Sequence, residues 1–183
     1  TRLDAAKGAI TELVTKIGPQ NNVGIVIFES GATTISYLTP DKEKTINAIS
    51  SIEQGQGATA IGDGLALGID MASSIPDKKG VIILLSDGVH NSGLVSPEEA
   101  IGYAKINQVQ IHTIGLGSIE PVYLRDDIYG ESQYAELDED TLVVIAQETN
   151  GNYFKSLDEQ TVNEIFVILS SNLEYEMEYS TIR

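Results

Sequence analysis

The sequence predicts an α/β domain, a doubly wound and mostly parallel sheet with helices on both faces. Three observations lead there. The apolar runs VGIVIF (23–28), VIILL (81–85) and VQIHTIGLG (109–117) read as strands, the first two rich in β-branched residues and leucine, and 23–28, 81–85 and 110–115 should all be buried. Segments of helical period lie between them. The two kinds alternate through almost the whole chain, and that alternation is the pattern of parallel sheets covered by helices.

Each element follows from its own residues. Leu3, Ala6, Ile10, Leu13, Val14 and Ile17 recur at helical spacing until Gly18-Pro19 stops them. The run 23–28 is the first strand, and TTISYL (33–38) alternates as an edge strand running opposite to its neighbours should. Residues 41–52 predict a helix with Ile46, Ile49 and Ile52 on one face. A glycine-rich loop, QGQGATAIGDG (54–64), leads into a helix over 65–74 and then the strand 81–85. Ser96, Pro97 and Glu99 form a helix start, with Ser96 as N-cap and Glu99 closing a capping box. After the strand 109–117 comes an acidic, tyrosine-containing insertion, 118–136. A helix over 137–151, capped by Asp138 and ended by Gly151, a short strand at 152–156 and a last helix over 158–173 complete the order, followed by a charged tail, 174–183. The expectation is one domain over 1–183, with no repeat and no low-complexity linker.

Composition narrows the function classes. Apolar content of 42% and charged content of 21% are ordinary for a globular domain. Cysteine is absent, which excludes a disulfide framework and thiolate metal sites. The longest aliphatic run, 81–85, is far too short to span a bilayer. The chain carries 11 basic and 27 acidic residues, for a net charge of −16. Such a surface repels phosphate backbones, so nucleic acid is not an expected partner.

Candidate chemistry gathers where strands end. In open α/β sheets, ligands bind beyond the carboxyl ends of the strands. Asp87 stands at such an end, immediately before Gly88, and the loop 54–64 with Thr59 and Asp63 should reach the same edge. Hydroxyl and carboxylate oxygens without thiols suit Mg²⁺, Mn²⁺ or Ca²⁺. The competing reading is a plain Asp-Gly turn. His90 could contact a ligand there, or bond to nearby backbone, whereas His112 lies inside a strand and reads as structural. GQGATA (55–60) mimics a dinucleotide fingerprint but follows a helix rather than a strand. Asp126, Asp127 and Glu131 lack the spacing of a calcium loop, and Tyr123, Tyr129 and Tyr134 offer either a binding rim or packing for the insertion. No nucleophile elbow, Walker sequence or His-Glu-x-x-His is present.

RLDAAKGAITELV (2–14), NNVGIVIFES (21–30), GATAIGDGLALGIDM (57–71), KGVIILLSDGVHNSG (79–93), VQIHTIGLGS (109–118) and LDEDTLVVIAQETNGNYFKS (137–156), in this order, resemble the von Willebrand factor type A (VWA) family. The flavour is that of prokaryotic aerotolerance-type proteins, in which such a domain is tethered beside membrane helices, which implies the outer side of a membrane. The resemblance implies an adhesion-type module that binds a partner's Asp or Glu through a divalent cation. Thr59 and Asp87 match two ligands of the family's metal-ion-dependent adhesion site (MIDAS), with Asp63 and His90 as neighbours. Mg²⁺ is the implied ion, with Mn²⁺ or Ca²⁺ as substitutes, and binding rather than catalysis is the implied activity. The alternatives are a metal-free scaffold that docks through the acidic insertion and a Mg²⁺-dependent phosphoryl-transfer or nucleotide-binding enzyme, which here would lack a phosphate loop.

One departure stands out. The family's first strand carries Asp-x-Ser-x-Ser, and no such motif occurs in these 183 residues. The expectation is therefore a site only partly present, with weak or no metal binding by this segment alone. The first strand would belong between 23–28 and 81–85, supplied by preceding residues or by another chain.

Overall fold

The structure, a computed structural model, describes residues 2–53, 55, 57–86, 88, 90, 92–116, 122–126, 132–135 and 138–169. The expected ligand Asp87 and the tail 174–183 lie outside the described residues, as do Tyr129, Asp127 and Glu131. Contacts divide the chain into two compact bodies: residues 1–25, 36–54 and 157–183, and residues 26–35 and 55–156.

In the first body, α1 (Arg2–Lys16) buries Ala6, Leu13 and Val14. It packs on α2 (Lys42–Ser50), and the two helices exchange lysines. Lys42 Nζ donates to the Thr15 carbonyl (2.9 Å) and Lys7 Nζ donates to the Ser50 carbonyl (3.0 Å). Each ammonium thus meets the carbonyl-rich, partly negative end of the other helix. Helix α2 begins where Asp41 Oδ1 accepts from Lys44 N (3.2 Å) and ends at Ser51, a little shorter than the sequence predicts. Ile49 is buried, while Ile46 and Ile52 are half-buried. Helix α6 (159–169) contributes buried Val162 and Ile165.

Strands β1 (Val23–Ile27) and β2 (Thr33–Thr39) form a two-stranded sheet. The link 28–32 is too short for a parallel crossover, so the pair is a hairpin with β2 reversed, as expected.

The second body is built on β3 (Val81–Ser86), β4 (Gln110–Gly115) and β7 (Tyr153–Phe154), in the order β3-β4-β7, with both pairings parallel. Helices α3 (Ile61–Ala72), α4 (Pro97–Ile106) and α5 (Glu139–Glu148) share its core. That core joins Ile61, Leu65, Ile69, Leu84, Ile111 and Ile145. Each such side chain removed from water contributes about 1.5–3 kcal/mol. The capping box at Ser96 and Glu99 forms as predicted, and Asp138 caps α5 by accepting from Thr141 N (3.3 Å).

Two expectations need correction. Helix α3 starts at Ile61, four residues before the predicted 65. Gly62 and Gly64 read as helix breakers in sequence, yet each is a point of close approach. A Cβ on Gly62 would collide with the Val95 carbonyl, and one on Gly64 with the Phe28 side chain. Within the insertion, β5 (Val122–Asp126) and β6 (Ser132–Ala135) pair antiparallel with an irregularity between Tyr123 and Arg125. Finally, β1 and most of β3 are half-buried rather than buried, whereas β4 is buried from Ile111 onward. Among the described residues, β1 and β3 each have one hydrogen-bonded neighbour and β4 has two.

Candidate functional site

The site edge is assembled by backbone hydrogen bonds in the second body. At the end of β3, Ser86 is 6% exposed. Its Oγ accepts from Gly88 N (3.0 Å) and its carbonyl accepts from Leu116 N (2.8 Å) at the end of β4. Gly88 has φ +81°, and a Cβ there would collide with the Asp138 carbonyl at the cap of α5. The Ser-Asp-Gly sequence is therefore spelled by geometry on both sides of Asp87: a buried hydroxyl that closes a local loop, and a glycine that no side chain can replace without strain.

The Thr59 loop is anchored just as firmly. Ser30 N donates to the Ala58 carbonyl (2.6 Å) and Ala60 N donates to the Phe28 carbonyl (3.1 Å). Glu29 and Thr59 form an antiparallel bridge, and the Glu29 carboxylate accepts from Gly57 N. Residues 57–60 thus ride on the carboxyl end of β1 as a fragment of strand. The Thr59 carbonyl accepts from Ser92 N (3.1 Å), which joins this loop to the one that follows β3.

Asp63, in the first turn of α3, engages the loop that follows β3. Its Oδ1 accepts from Leu94 N (2.9 Å) and Val95 N (2.8 Å), charge-assisted bonds that hold the loop 92–95 against the helix. Gly93, at φ +101°, lets the backbone turn directly over that carboxylate. His90 is half-buried, and its Nδ1 is enclosed without a hydrogen-bond partner among the described residues. His112 is structural, as expected, its Nδ1 accepting from Asn152 N (3.0 Å).

The donors present fit a hard cation in type, since a threonine hydroxyl and an aspartate are oxygen ligands. They do not fill its coordination. Among the described residues, no group of three or more His, Asp or Glu side chains converges. Sequence reasoning offered Thr59 as a candidate but did not single out Glu29 and Ser92, which position its loop. The signal for Glu29 was available, because it follows an apolar strand at the edge where ligands bind.

The von Willebrand factor type A domain family model matches residues 1–167. The chain belongs to that family. A protein from Borreliella burgdorferi is 28% identical over 166 residues, covering 86% of this chain and 48% of the relative. The chain spans about half the length of the curated relatives it matches. BatB from Bacteroides thetaiotaomicron superposes with a TM-score of 0.81 at 23% identity, covering 94% of this chain and 88% of that one. An aerotolerance-related membrane protein from Bacteroides fragilis gives 0.79 at 22% identity, with the same coverages of 94% and 88%. Proximal thread matrix protein 1 from the mussel byssus, solved with zinc in its MIDAS motif, gives 0.65 at 22% identity over 91% of this chain and 41% of that one. These likenesses establish the Rossmann-like α/β fold, and the family that the model assigns is one of protein-interaction modules. Among the described residues of this VWA domain, no helix is long and apolar enough to cross a membrane.

Proposed function

We propose that this VWA domain binds a partner protein by capturing an Asp or Glu of the partner through a divalent cation at the carboxyl edge of the sheet. The observation that carries the reading is the bonded web at that edge. Glu29, Thr59, Ser92 and Asp63 lock two loops together, and Ser86 and Gly88 fix the chain on either side of Asp87. Thr59 would ligate through its hydroxyl and Asp87 through its carboxylate. A bound Mg²⁺ would supply an electrophile for the incoming carboxylate, and Mn²⁺ or Ca²⁺ meets the same oxygen chemistry. The zinc held in the motif of the fold-related mussel protein supports the idea that this edge accommodates a cation.

The remaining ligands would come from an Asp-x-Ser-x-Ser strand, absent from these 183 residues, laid along the side of β3 that has no neighbour among the described residues. We take the parent protein to be tethered to a membrane with this domain on its outer side, a reading supported by the description of the Bacteroides fragilis neighbour. The activity is binding, not catalysis. The second reading, a metal-free scaffold, rests on the β5–β6 hairpin, which gives the insertion a structure to present to a partner.

The test is calorimetric titration of the intact protein with Mg²⁺ and with Mn²⁺, for the wild type, Thr59→Ala and Asp87→Asn. Saturable uptake of cation that both substitutions abolish is the expected result. Uptake unaffected by either substitution overturns the assignment, and partner capture undiminished in EDTA favours the scaffold.

A further inference from the structure

The loop after β3 displays one side chain that the fold does not use. Leu94 is 96% exposed, while Val95 and Ser92 beside it are half-buried. An isolated exposed leucine means little by itself. This one is held still. Its own N–H and that of Val95 are both bonded to the Asp63 carboxylate, at 2.9 and 2.8 Å. Two residues earlier, Ser92 N bonds to the carbonyl of Thr59 at 3.1 Å. Two residues of chain reach at most about 7 Å, so Leu94 stands within the span of a dipeptide or tripeptide of the Thr59 loop. The backbone that would position a cation ligand therefore also positions an apolar side chain beside it, facing water.

The partner's chemistry can be narrowed from charge as well. The chain carries a net charge of −16, and this field opposes any acidic segment that approaches. A run of carboxylates is penalised most. A single carboxylate with an apolar neighbour is penalised least and gains from Leu94 what it lacks in charge. Resting on the cation reading of the edge, we propose that Leu94 is a specificity-determining contact. The preferred partner segment is then one acidic residue with an aliphatic or aromatic residue next to it.

Fluorescence polarisation of labelled hexapeptides on the intact protein in Mg²⁺ tests this. Three probes have the cores Leu-Asp, Asp-Leu and Asp-Ser between glycines. At least one leucine probe should bind about tenfold more tightly than Asp-Ser, the lower end of what burying a leucine side chain gives. Leu94→Ser should erase that difference while leaving the Mg²⁺ dependence and the melting temperature unchanged, since the side chain touches nothing in the fold. If Asp-Ser binds as tightly as both leucine probes, or the preference survives Leu94→Ser, the inference about Leu94 is overturned and the cation reading stands. If no probe shows binding that EDTA reverses, the cation reading itself fails and takes the inference with it.

Discussion

Strand β3 (VIILLS) is the more apolar of two paired strands, yet β4 (QIHTIG) is the more deeply buried. They pair in parallel, register by register, with Ile82 opposite Ile111 and Ile83 opposite His112. Ile111 is fully buried and Ile82 only half-buried, although both belong to the core beneath α3, α4 and α5. The apolar content of a strand sets which faces it offers. The number of hydrogen-bonded neighbours sets how much of that offer is taken up. Strand β4 lies between β3 and β7, whereas β3 has β4 alone among the described residues. The half-open strand is also the one whose end leads into the candidate site, and its exit loop is steadied by α3 rather than by a second strand.

The largest expected effect tests the comparison directly. Ile111→Ala removes a fully buried side chain and should cost about 2–5 kcal/mol in denaturant unfolding. Ile82→Ala, across the same rung, should cost clearly less, because part of its surface is already wet. Equal costs would show that β3 is as covered in solution as β4, as it would be beneath an additional strand.

The same contrast shows what the sequence made legible. Periodicity revealed nearly every element, because alternation and helical spacing are local. The capping box at Ser96 was readable because all its atoms lie within one turn. The early start of α3 was not, because Gly62 and Gly64 owe their place to Val95 and Phe28, residues distant in sequence. Burial of β3 was overestimated for the same reason, since neighbour count is a property of the sheet. In the site, Thr59 could be named from its motif. The engagement of Asp63 with Leu94 and Val95 depends on a loop 31 residues away in sequence and needed coordinates.

The next effect in size concerns what β3 leans on in place of a neighbour. Gly62→Ala would drive a Cβ into the Val95 carbonyl and push the exit loop away from α3. A cost of about 1–3 kcal/mol is expected, the usual range for an overpacked contact. Gly102→Ala in α4 is the control, because a Cβ there meets nothing within 4 Å. It should stabilise by about 0.5–1 kcal/mol through helix propensity alone. If both substitutions behave alike in thermal unfolding, the close approach of α3 to the loop is not what holds it.

The smallest effect examines the other face of the pair, one rung along, through His112, which stands opposite Ile83. His112 is 1% exposed, and its Nδ1 accepts from Asn152 N (3.0 Å), so the neutral ring carries its proton on Nε2. Burial, and then the charge of Lys79, hold its pKa below the usual 6.5. The folded state therefore resists a proton that the unfolded chain accepts. Stability is fully present above pH 6.5 and declines as the pH falls through that value, because the unfolded state then binds more protons. The slope can reach about 1.4 kcal/mol per pH unit. Urea unfolding of the wild type between about pH 7.5 and 5.5 should show this decline. His112→Gln keeps an acceptor for Asn152 N but cannot titrate, so it should flatten the curve in that window. A decline that persists in His112→Gln would mean that the middle of β4 is open enough to water for the imidazole to protonate freely, and β4 would then differ from β3 far less than the burial of Ile111 implies.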